Sequence, residues 1–521
     1  MLLISLLGAV LISILYVPII NSYFLGEDYA WWKYVKGKSL VEVLRYFIAS
    51  PSEGLAGFYH PLVGSSYWLN VNTSWMNPFW FHLTNLIFHF GTYLLVVSLG
   101  LFFCKKKSVA MLSGVFFLLF PFQIEAVGWI DGRHDLIMTF FYLLSFFFFV
   151  LWHDRKNWIY PVASLVSFGL SLMSKETAVS LPLLLVAVIV YDAKEKDWKH
   201  IVEALRTTSL FWLTLAGYGV LHAFYVGKVN PFSAASHLSL TVPRVTILYL
   251  IFLVMVLALF FLLRGKIRKT ERHFLNLSLL FAILMGITYL PAAFTFTQER
   301  YLYLPSTMAT VFASVVVFLV FSRKAIQGHA VRKVTYIIIV FLGCVLSYGY
   351  LRGKVNDWEI GSSLAKQMVS EFRVQADAIS DDATVFLVNL PDNYHGSYIF
   401  RTHASEAFQY GSQREFSLIV VTPSTLGTGR SEIKDNKEGV FQLKSSDGYL
   451  VFPPSFTDVT PSGEPFLETG VYRVTVRDTH ALELELKQRD EETYIFVADS
   501  QARTIRRIPL QERNVQQKSG E

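Results

Sequence analysis

The sequence predicts an α-helical polytopic membrane protein that carries a C-terminal, strand-rich α+β domain outside the bilayer. The 521-residue chain is 53% hydrophobic and 16% aromatic, with only 17% charged residues, and a soluble protein of this length could not bury so much apolar surface. Apolar stretches long enough to span a bilayer recur from Leu2 to Tyr350. After Tyr350 the sequence changes to short alternating segments separated by Gly, Pro, Asn and Asp, which predicts strands.

About eleven apolar stretches are candidate transmembrane helices, and they define a predicted transmembrane domain over residues 1–351. The stretches are residues 2–21, 79–103, 109–127, 135–152, 158–173, 178–192, 207–226, 245–263, 274–291, 303–321 and 334–351. Residues 22–78 are predicted to form a long first outer loop with short helices at the membrane surface.

The positions of the basic residues predict the orientation in the membrane. Alternate loops contain about eighteen Lys or Arg residues, and the opposing loops contain about half that number. The basic loops lie around Lys105, around Arg155, and at residues 194–206, 264–272 and 323–333. Because basic loops stay in the cytoplasm, we expect a multi-pass protein of the plasma (inner) membrane with a cytoplasmic N-terminus and an extracytoplasmic C-terminal domain.

Residues 352–510 are predicted to form that extracytoplasmic soluble domain, and residues 511–521 a disordered tail. The domain is expected to begin with an amphipathic helix from Asp357 to Ile379, because its apolar side chains recur at helical spacing. Strands are predicted at residues 384–388, 416–421, 440–443, 471–476, 482–486 and 494–497.

The composition argues against several classes of function. The net charge is +6, but the basic residues flank apolar stretches as membrane orientation requires, so no nucleic-acid partner is predicted. The only two cysteines, Cys104 and Cys344, exclude a cysteine-rich zinc site and argue against a disulfide framework. No metal site is predicted, and a divalent cation has no support in the residues.

Two adjacent carboxylates, Glu27 and Asp28, follow the first apolar stretch on its outer side. A carboxylate at a water–lipid boundary can take a proton from a substrate hydroxyl. Repulsion between two neighbouring carboxylates raises one pKa toward a useful range. The structural alternative is a solvated pair, or a cap for the helix that follows.

Two further outer turns contain several charged residues. Glu125, Arg133 and Asp135 belong to the turn between the third and fourth apolar stretches, where pairing of Arg133 with a carboxylate is the alternative to substrate contact. Lys175 and Glu176 occupy the next outer turn. Glu176 suits the first turn of a helix, whereas the Lys175 ammonium could hold a phosphate.

The tenth apolar stretch begins with Arg300, Tyr301 and Tyr303. The planar guanidinium of an arginine suits bidentate phosphate binding, and the alternative is an arginine that extends to the membrane surface. His60 lies in the aromatic part of the first outer loop and is another candidate.

The second apolar stretch has a polar face formed by His82, Asn85 and His89. For His82 and His89 we favour interhelical hydrogen bonds over a zinc site, because no convincing set of close ligands accompanies them.

These groups suit a reaction whose leaving group is a phosphate tethered to lipid. The acidic pair would activate an acceptor hydroxyl, and the outer cations Arg133, Lys175 and Arg300 would stabilise charge on the departing phosphate. The residues alone allow either phosphoryl or glycosyl transfer.

A series of motifs follows one order over roughly residues 20–310. The motifs are Glu27-Asp28, Tyr59-His60-Pro61-Leu62, Phe81-His82-x-x-Asn85-x-x-x-His89, Pro121-x-x-x-Glu125-Ala126-Val127, Gly132-Arg133-x-Asp135, Ser174-Lys175-Glu176 and Glu299-Arg300-Tyr301-x-Tyr303-x-Pro305-Ser306. Together they resemble the polyprenyl-phosphate-sugar-dependent membrane glycosyltransferases of the GT-C fold. The likeness is closest to the O-mannosyltransferase-like branch that includes the transmembrane and tetratricopeptide-repeat proteins.

The resemblance implies a GT-C-like helical bundle, a polyprenyl-phosphate monosaccharide donor and inverting transfer at the outer face, with roles in the cell envelope. It also implies that an acidic residue of the first outer loop is the base, which is Asp28 here, with Glu27 as the close alternative. Hexosyl and pentosyl transfer both stay open. The chain departs from the branch at His60, where an arginine is usual, and no tetratricopeptide array follows the membrane part. The acceptor therefore stays open among glycan, lipid and protein.

Three other functions compete with this interpretation. A lipid-linked sugar transporter or flippase would need charged residues through the midplane and inverted-repeat symmetry, and the sequence shows neither. A polysaccharide polymerase or ligase with polyprenyl-linked glycans is a nearer alternative, although a large outer loop late in the membrane domain would favour it and the long loop here is the first. A scaffold without activity is disfavoured by the acidic pair.

Overall fold

The structure is a computed structural model of the chain. It describes residues 2–48, 59–74, 76–193, 197–226, 269–294, 298–322, 330–381, 383–410, 412, 416–421, 425–426, 431–435, 440–445, 449–450, 458–459, 463–478, 481–487, 493–499 and 503–508.

Helices dominate up to residue 376, and strands follow. The α-helices are α1 Leu2–Tyr16, α2 Asp28–Val35, α3 Leu40–Arg45, α4 Pro61–Ser74, α5 Pro78–Cys104, α6 Lys107–Leu118, α7 Ile124–Gly128, α8 Arg133–Arg155, α9 Ile159–Leu172, α10 Leu181–Asp192, α11 Trp198–Thr207, α12 Ser209–Val226, α13 Lys269–Tyr289, α14 Tyr303–Ser322, α15 Ala330–Ala376 and α16 Ala404–Gln409. Short 3₁₀ helices are Val17–Ile19, Pro121–Gln123, Glu176–Ser180, Ala292–Phe294 and Glu299–Leu302.

The prediction of a helical, multi-pass membrane protein with a strand-containing C-terminal region is confirmed. Among the described residues, five helices are long and apolar enough to cross a membrane, or six if the bent pair α6 and α7 is one crossing. Leu3–Ile19, Ile159–Leu172 and Ser209–Ala223 are shorter apolar helices. The count of eleven is not confirmed, and the predicted span 245–263 lies outside the described residues. The orientation of the termini stays a prediction.

The bend between α6 and α7 has a local cause. Pro121 begins the 3₁₀ helix that separates them, and Phe122 has non-helical backbone angles. Proline lacks the N–H that would continue a helix, so the two axes meet at 57°. The bend ends the apolar helix and leads the chain into the polar turn that carries Glu125.

Reciprocal serine hydrogen bonds join α8 to α9. The Ser145 hydroxyl donates to the backbone oxygen of Ser164 at 2.7 Å, and the Ser164 hydroxyl donates to that of Ser145 at 2.8 Å. Small hydroxyl residues allow helix backbones to approach closely in a membrane. This pair therefore fixes the register of α8, whose first turn carries several of the candidate site residues.

The chain divides into two compact units. The first contains residues 1–21 and 34–355, and the second contains residues 22–33 and 356–521. The predicted boundary at residues 351 and 352 falls inside the continuous helix α15. The second unit includes part of the predicted first outer loop, residues 22–33, which carries Glu27 and Asp28.

The second unit contains three sheets in the described residues. The strands are β1 Thr384–Val388, β2 Asn393–Tyr394, β3 Ser397–Tyr398, β4 Ser417–Val420, β5 Thr425–Leu426, β6 Ser431–Asp435, β7 Val440–Ser445, β8 Tyr449–Leu450, β9 Asp458–Val459, β10 Pro465–Glu468, β11 Tyr472–Asp478, β12 Ala481–Leu486, β13 Thr493–Asp499 and β14 Thr504–Ile508. Their orders are β14-β13-β1-β4, β6-β7-β12-β11-β10-β9 and β3-β2-β5-β8.

One apolar cluster joins the first two of these sheets. In β12, Leu482, Leu484 and Leu486 are buried, whereas Glu483 and Glu485 alternate with them on the other face, as the two-residue period of a strand requires. The leucines share a core with Phe386, Val388, Ile495 and Val497 of β1 and β13. Alternation therefore decides which face of the six-stranded sheet is buried.

Candidate active site

The acidic pair lies in the second unit, where its backbone is tied to the C-terminal part of the chain. Asp28 begins α2 and is only 2% exposed, and its Oδ2 accepts a hydrogen bond from the Leu25 N–H at 2.8 Å. The N–H of Gly26 donates to the backbone oxygen of Ile399 at 2.9 Å. A positive φ of 41° at Gly26, which glycine adopts without a Cβ penalty, makes this turn possible.

Glu27 is more accessible than Asp28, and one of its carboxylate oxygens accepts a hydrogen bond from the Thr402 hydroxyl at 3.4 Å. Aromatic rings line the same segment, because Trp32 and Tyr29 pack on Tyr410 with centroid distances of 4.9 and 5.5 Å. The two carboxylates therefore differ in surroundings: Asp28 is enclosed and hydrogen-bonded, and Glu27 is half-buried.

In the first unit, Lys175 and Asp135 form a close ion pair. The Lys175 Nζ lies 2.7 Å and 2.6 Å from the two carboxylate oxygens of Asp135, and it lies 4.4 Å from the centre of the Tyr301 ring. Lys175 precedes the 3₁₀ helix Glu176–Ser180, and Asp135 lies in the first turn of α8. Both side chains are nearly excluded from solvent.

Arg300 joins this pair to a second carboxylate. Its Nη1 lies 3.2 Å from Glu125 Oε1, and its Nε lies 3.8 Å from Asp135 Oδ2. The backbone N–H of Arg300 also donates to Glu125 Oε2 at 3.3 Å, and the guanidinium carbon lies 4.9 Å from the centre of the Trp129 ring. We call Glu125, Asp135, Lys175 and Arg300 the cation–carboxylate cluster.

The cluster has no net formal charge, with two cations facing two carboxylates. The cations and the carboxylates of the cluster attract one another strongly, because charges interact more strongly away from water. The side chain of Arg300 is 13% exposed, and that of Lys175 is 11% exposed. A phosphate that reaches them would compete with Glu125 and Asp135 for the same N–H donors, and the aromatic rings would hold both cations in place.

A row of titratable groups lies beside the cluster. His60 Nε2 is 2.9 Å from Glu176 Oε1, and His222 Nε2 is 3.7 Å from the same oxygen. The rings of His60 and His134 lie 4.8 Å apart. Partial burial acts to raise the pKa of the Glu176 carboxyl, but the two histidines with which it pairs hold that pKa well below its usual range.

His222 and Trp129 were not predicted from the sequence as site residues. His222 lies in α12, far along the chain from Glu176, and a single histidine in an apolar stretch gives no signal of its partner. Trp129 follows Glu125 closely, but a tryptophan at this depth is typical of the membrane surface. Its place beside Arg300 depends on the fold of the turn.

Arg133 is fully buried, and its guanidinium holds elements together. It donates to Asn85 Oδ1 at 3.0 Å, to the Ser66 hydroxyl at 3.3 Å and to the backbone oxygen of Phe81 at 2.9 Å. Its guanidinium carbon lies 4.5 Å from the centre of the Tyr67 ring. These partners are neutral groups of α4 and α5. A contact of Arg133 with the donor phosphate stays a prediction.

Two polar residues of α5 connect the outer turns to the bundle. The Asn85 side-chain amide donates to the backbone oxygens of Trp129 and Ile130 at 3.0 and 3.3 Å. His89 Nδ1 lies 2.8 Å from the Tyr303 hydroxyl. The His89 contact is the interhelical hydrogen bond expected for this residue, and it joins α5 to Tyr303 of α14 in the bundle interior. The Asn85 amide holds the turn between α7 and α8.

Replacing Gly132 by alanine is expected to destabilise the protein by about 2–3 kcal/mol. A Cβ at Gly132 would lie 2.3 Å from the backbone oxygen of Ala126 and 2.6 Å from that of Glu125, so the turn beside the cluster would have to move. Thermal unfolding in detergent measures the effect. Gly169→Ala is the matched control, because nothing lies within 4 Å of a Cβ there. Equal melting temperatures for the two variants would contradict this account of the turn.

No group of three or more His, Cys, Asp or Glu side chains is arranged to hold a metal ion within the part of the chain that the structure describes. In the cation–carboxylate cluster, Lys175 and Arg300 already occupy the carboxylate oxygens that a metal would need. The donors of this cluster are suited to an anion.

These helices define a multi-pass membrane protein with a buried cluster of two cations and two carboxylates. No protein-family model matches the chain. It is 35% identical over 89 residues to the protein O-mannosyl-transferase TMTC1 of Mus musculus, which is 17% of this chain and 9% of that protein. It is 28% identical over 221 residues to TMTC2 of Mus musculus, which is 37% of this chain and 25% of that protein.

The predicted resemblance to the O-mannosyltransferase-like branch is confirmed by these relatives. The chain spans only about a tenth to a quarter of the length of these two proteins. Two solved structures overlap more of the chain. ArnT from Cupriavidus metallidurans in the apo state has a TM-score of 0.45 and 12% identity, covering 80% of this chain and 85% of ArnT.

The second is the archaeal oligosaccharyltransferase AglB from Archaeoglobus fulgidus, in complex with an inhibitory peptide and a dolichol-phosphate. Its TM-score is 0.41 at 13% identity, and the overlap covers 74% of this chain and 62% of AglB. At these TM-scores we transfer no residue, ligand or mechanism from either structure.

Proposed function

We propose that the chain is a membrane glycosyltransferase that moves a monosaccharide from a polyprenyl-phosphate donor to an acceptor hydroxyl on the extracytoplasmic face. The observation that carries the proposal is the cation–carboxylate cluster, in which two cations are nearly excluded from solvent and held by aromatic rings. Such a centre fits the charge that develops on a departing phosphate.

In the proposed reaction, Asp28 takes the proton of the acceptor hydroxyl, with Glu27 as the alternative base. The acceptor oxygen then forms a bond to the anomeric carbon as the bond from that carbon to the phosphate oxygen breaks. The phosphate leaves with the electron pair, and the configuration inverts. Arg300 and Lys175 donate hydrogen bonds to the departing phosphate in place of those they give to Glu125 and Asp135.

The neighbouring residues have supporting parts in this proposal. Tyr301 packs against Lys175, and Tyr303 anchors the start of α14 to His89. Glu176 holds His60 beside the cluster, and His60 stays a candidate for binding the donor phosphate.

The test is to incubate the purified protein with a panel of polyprenyl-phosphate monosaccharides and to measure release of polyprenyl phosphate. Mannose is the first donor sugar to test, because the relatives are named as mannosyl-transferases. Other hexoses and pentoses follow. We expect transfer from one or a few of these donors. Transfer of whole glycans from polyprenyl-linked donors instead would favour a polymerase or ligase, and no turnover with any donor and acceptor would contradict the proposal.

A further inference from the structure

A cavity of about 500 Å³ opens between helix ends far from the cation–carboxylate cluster. Helix α8 connects the two places, because Asp135 lies in its first turn and His153 and Asp154 in its last. Its 23 residues span roughly 34 Å at 1.5 Å per residue, which is about the thickness of a bilayer core. The cavity and the cluster therefore lie at opposite ends of a helix that is long and apolar enough to cross a membrane.

The floor of the cavity is apolar and its mouth is charged. Phe149, Val150 and Leu277 are buried in the floor, whereas Lys105, Lys156, Asp154 and Asp192 are exposed at the mouth. Such a volume lies within the usual range for small-molecule pockets. A ligand that fits must present an apolar chain to the floor and polar groups to the mouth.

The charges at the mouth are of both signs. Lys105 and Lys156 follow the C-terminal ends of α5 and α8, and Asp192 ends α10 and lies 3.8 Å from His153. The carbonyl ends of three helices face this region, and a helix C-terminus favours a cation. A purely anionic ligand would meet Asp154, Asp192 and these carbonyl groups, whereas a purely cationic ligand would meet the two lysines.

Both lysines occupy backbone positions that usually hold glycine. Lys105 and Lys156 have φ angles of 52° and 56°, in the left-handed conformation that glycine adopts without strain at a helix end. The Lys105 ammonium is also held 4.4 Å from the centre of the Phe102 ring. A lysine at each strained position brings its ammonium to the mouth of the same cavity, which a glycine could not do.

We propose that this cavity binds the headgroup of a zwitterionic aminophospholipid. The phosphodiester contacts Lys105 and Lys156, the primary ammonium contacts Asp154 and Asp192, and an acyl chain packs on the apolar floor. Basic pockets between transmembrane helices are known to hold lipid headgroups, and the added carboxylates here select a headgroup that also carries a cation.

The test is lipid retention measured by native mass spectrometry after exchange of the full chain into phosphatidylethanolamine, phosphatidylcholine or phosphatidylglycerol. We expect the wild-type protein to retain phosphatidylethanolamine most, because its ammonium can donate hydrogen bonds to the carboxylates. Lys105→Met and Asp192→Asn should each reduce its retention about 10-fold. Lys106→Met is the matched control, since Lys106 is an exposed neighbour outside the cavity lining.

Monodisperse elution of each variant shows that it is folded. Retention of phosphatidylglycerol or phosphatidylcholine equal to or above that of phosphatidylethanolamine would overturn the proposal. An equal loss in Lys106→Met and Lys105→Met would overturn it as well, because only the second residue lines the cavity. Sugar transfer is a separate readout, so a failure of the proposed function would not be confused with a failure of this site.

Discussion

Asp28→Asn is expected to lower sugar transfer by about 10²–10⁴-fold, the usual contribution of a general base. The substitution removes the proton acceptor but keeps an oxygen that can accept the hydrogen bond from the Leu25 N–H. The protein should therefore fold and still bind its donor. Turnover of a polyprenyl-phosphate sugar, measured at saturating donor and acceptor, reports the loss.

Glu27→Gln is the matched control for this substitution. Glu27 is adjacent and half-buried, and it accepts a long hydrogen bond from the Thr402 hydroxyl, so its amide variant should keep most of the activity. If Glu27 were the base, the two variants would exchange their effects. Full activity in Asp28→Asn would remove this residue from the mechanism.

Arg300→Ala is expected to impair use of the donor much more than use of the acceptor. A charge-assisted hydrogen bond to phosphate contributes about 1.5–3 kcal/mol, so we expect the KM for the donor to rise or kcat/KM for the donor to fall about 10–150-fold. The KM for the acceptor should change little. Equal effects on both substrates would contradict a phosphate role for Arg300.

Arg300→Lys separates charge from geometry in the same assay. A lysine keeps the positive charge beside Glu125 and avoids a buried, unpaired carboxylate, but it loses the planar fork. We expect an intermediate loss in use of the donor with an unchanged melting temperature. If Arg300→Ala loses folded protein and Arg300→Lys does not, the loss comes from the buried Glu125 carboxylate that no longer faces the Arg300 cation.

Each of the six strands predicted in the second unit coincides with an observed strand, whereas the other eight described strands were not predicted. The predicted strand at residues 482–486 is β12, Ala481–Leu486, and the one at 494–497 lies within β13, Thr493–Asp499. Alternating burial is a local pattern, so a short window of sequence contains it. The helix expected from Asp357 belongs instead to the continuous helix α15, because its apolar spacing does not mark where a preceding helix joins it.

The partners of the polar residues were harder to predict. Arg133 lies between two carboxylates in sequence, yet it binds Asn85, Ser66 and the Phe81 backbone. Glu125 and Asp135 pair with Arg300 and Lys175, which are distant along the chain. Helix packing decides which cation pairs with which carboxylate. A short stretch of sequence therefore does not predict the pairing.

The central claim is that the cation–carboxylate cluster binds the phosphate of the lipid carrier. A direct test is equilibrium binding of radiolabelled polyprenyl phosphate to the purified protein. The paired variant Arg300→Gln with Glu125→Gln removes both charges of one ion pair without leaving either alone. The control removes the neighbouring pair, Lys354→Gln with Glu299→Gln, whose charged atoms lie 3.6 Å apart.

We predict that the first paired variant binds polyprenyl phosphate at least about 10-fold more weakly than the wild-type protein, and that the control binds it with unchanged affinity. Unchanged affinity in the first variant would contradict the claim.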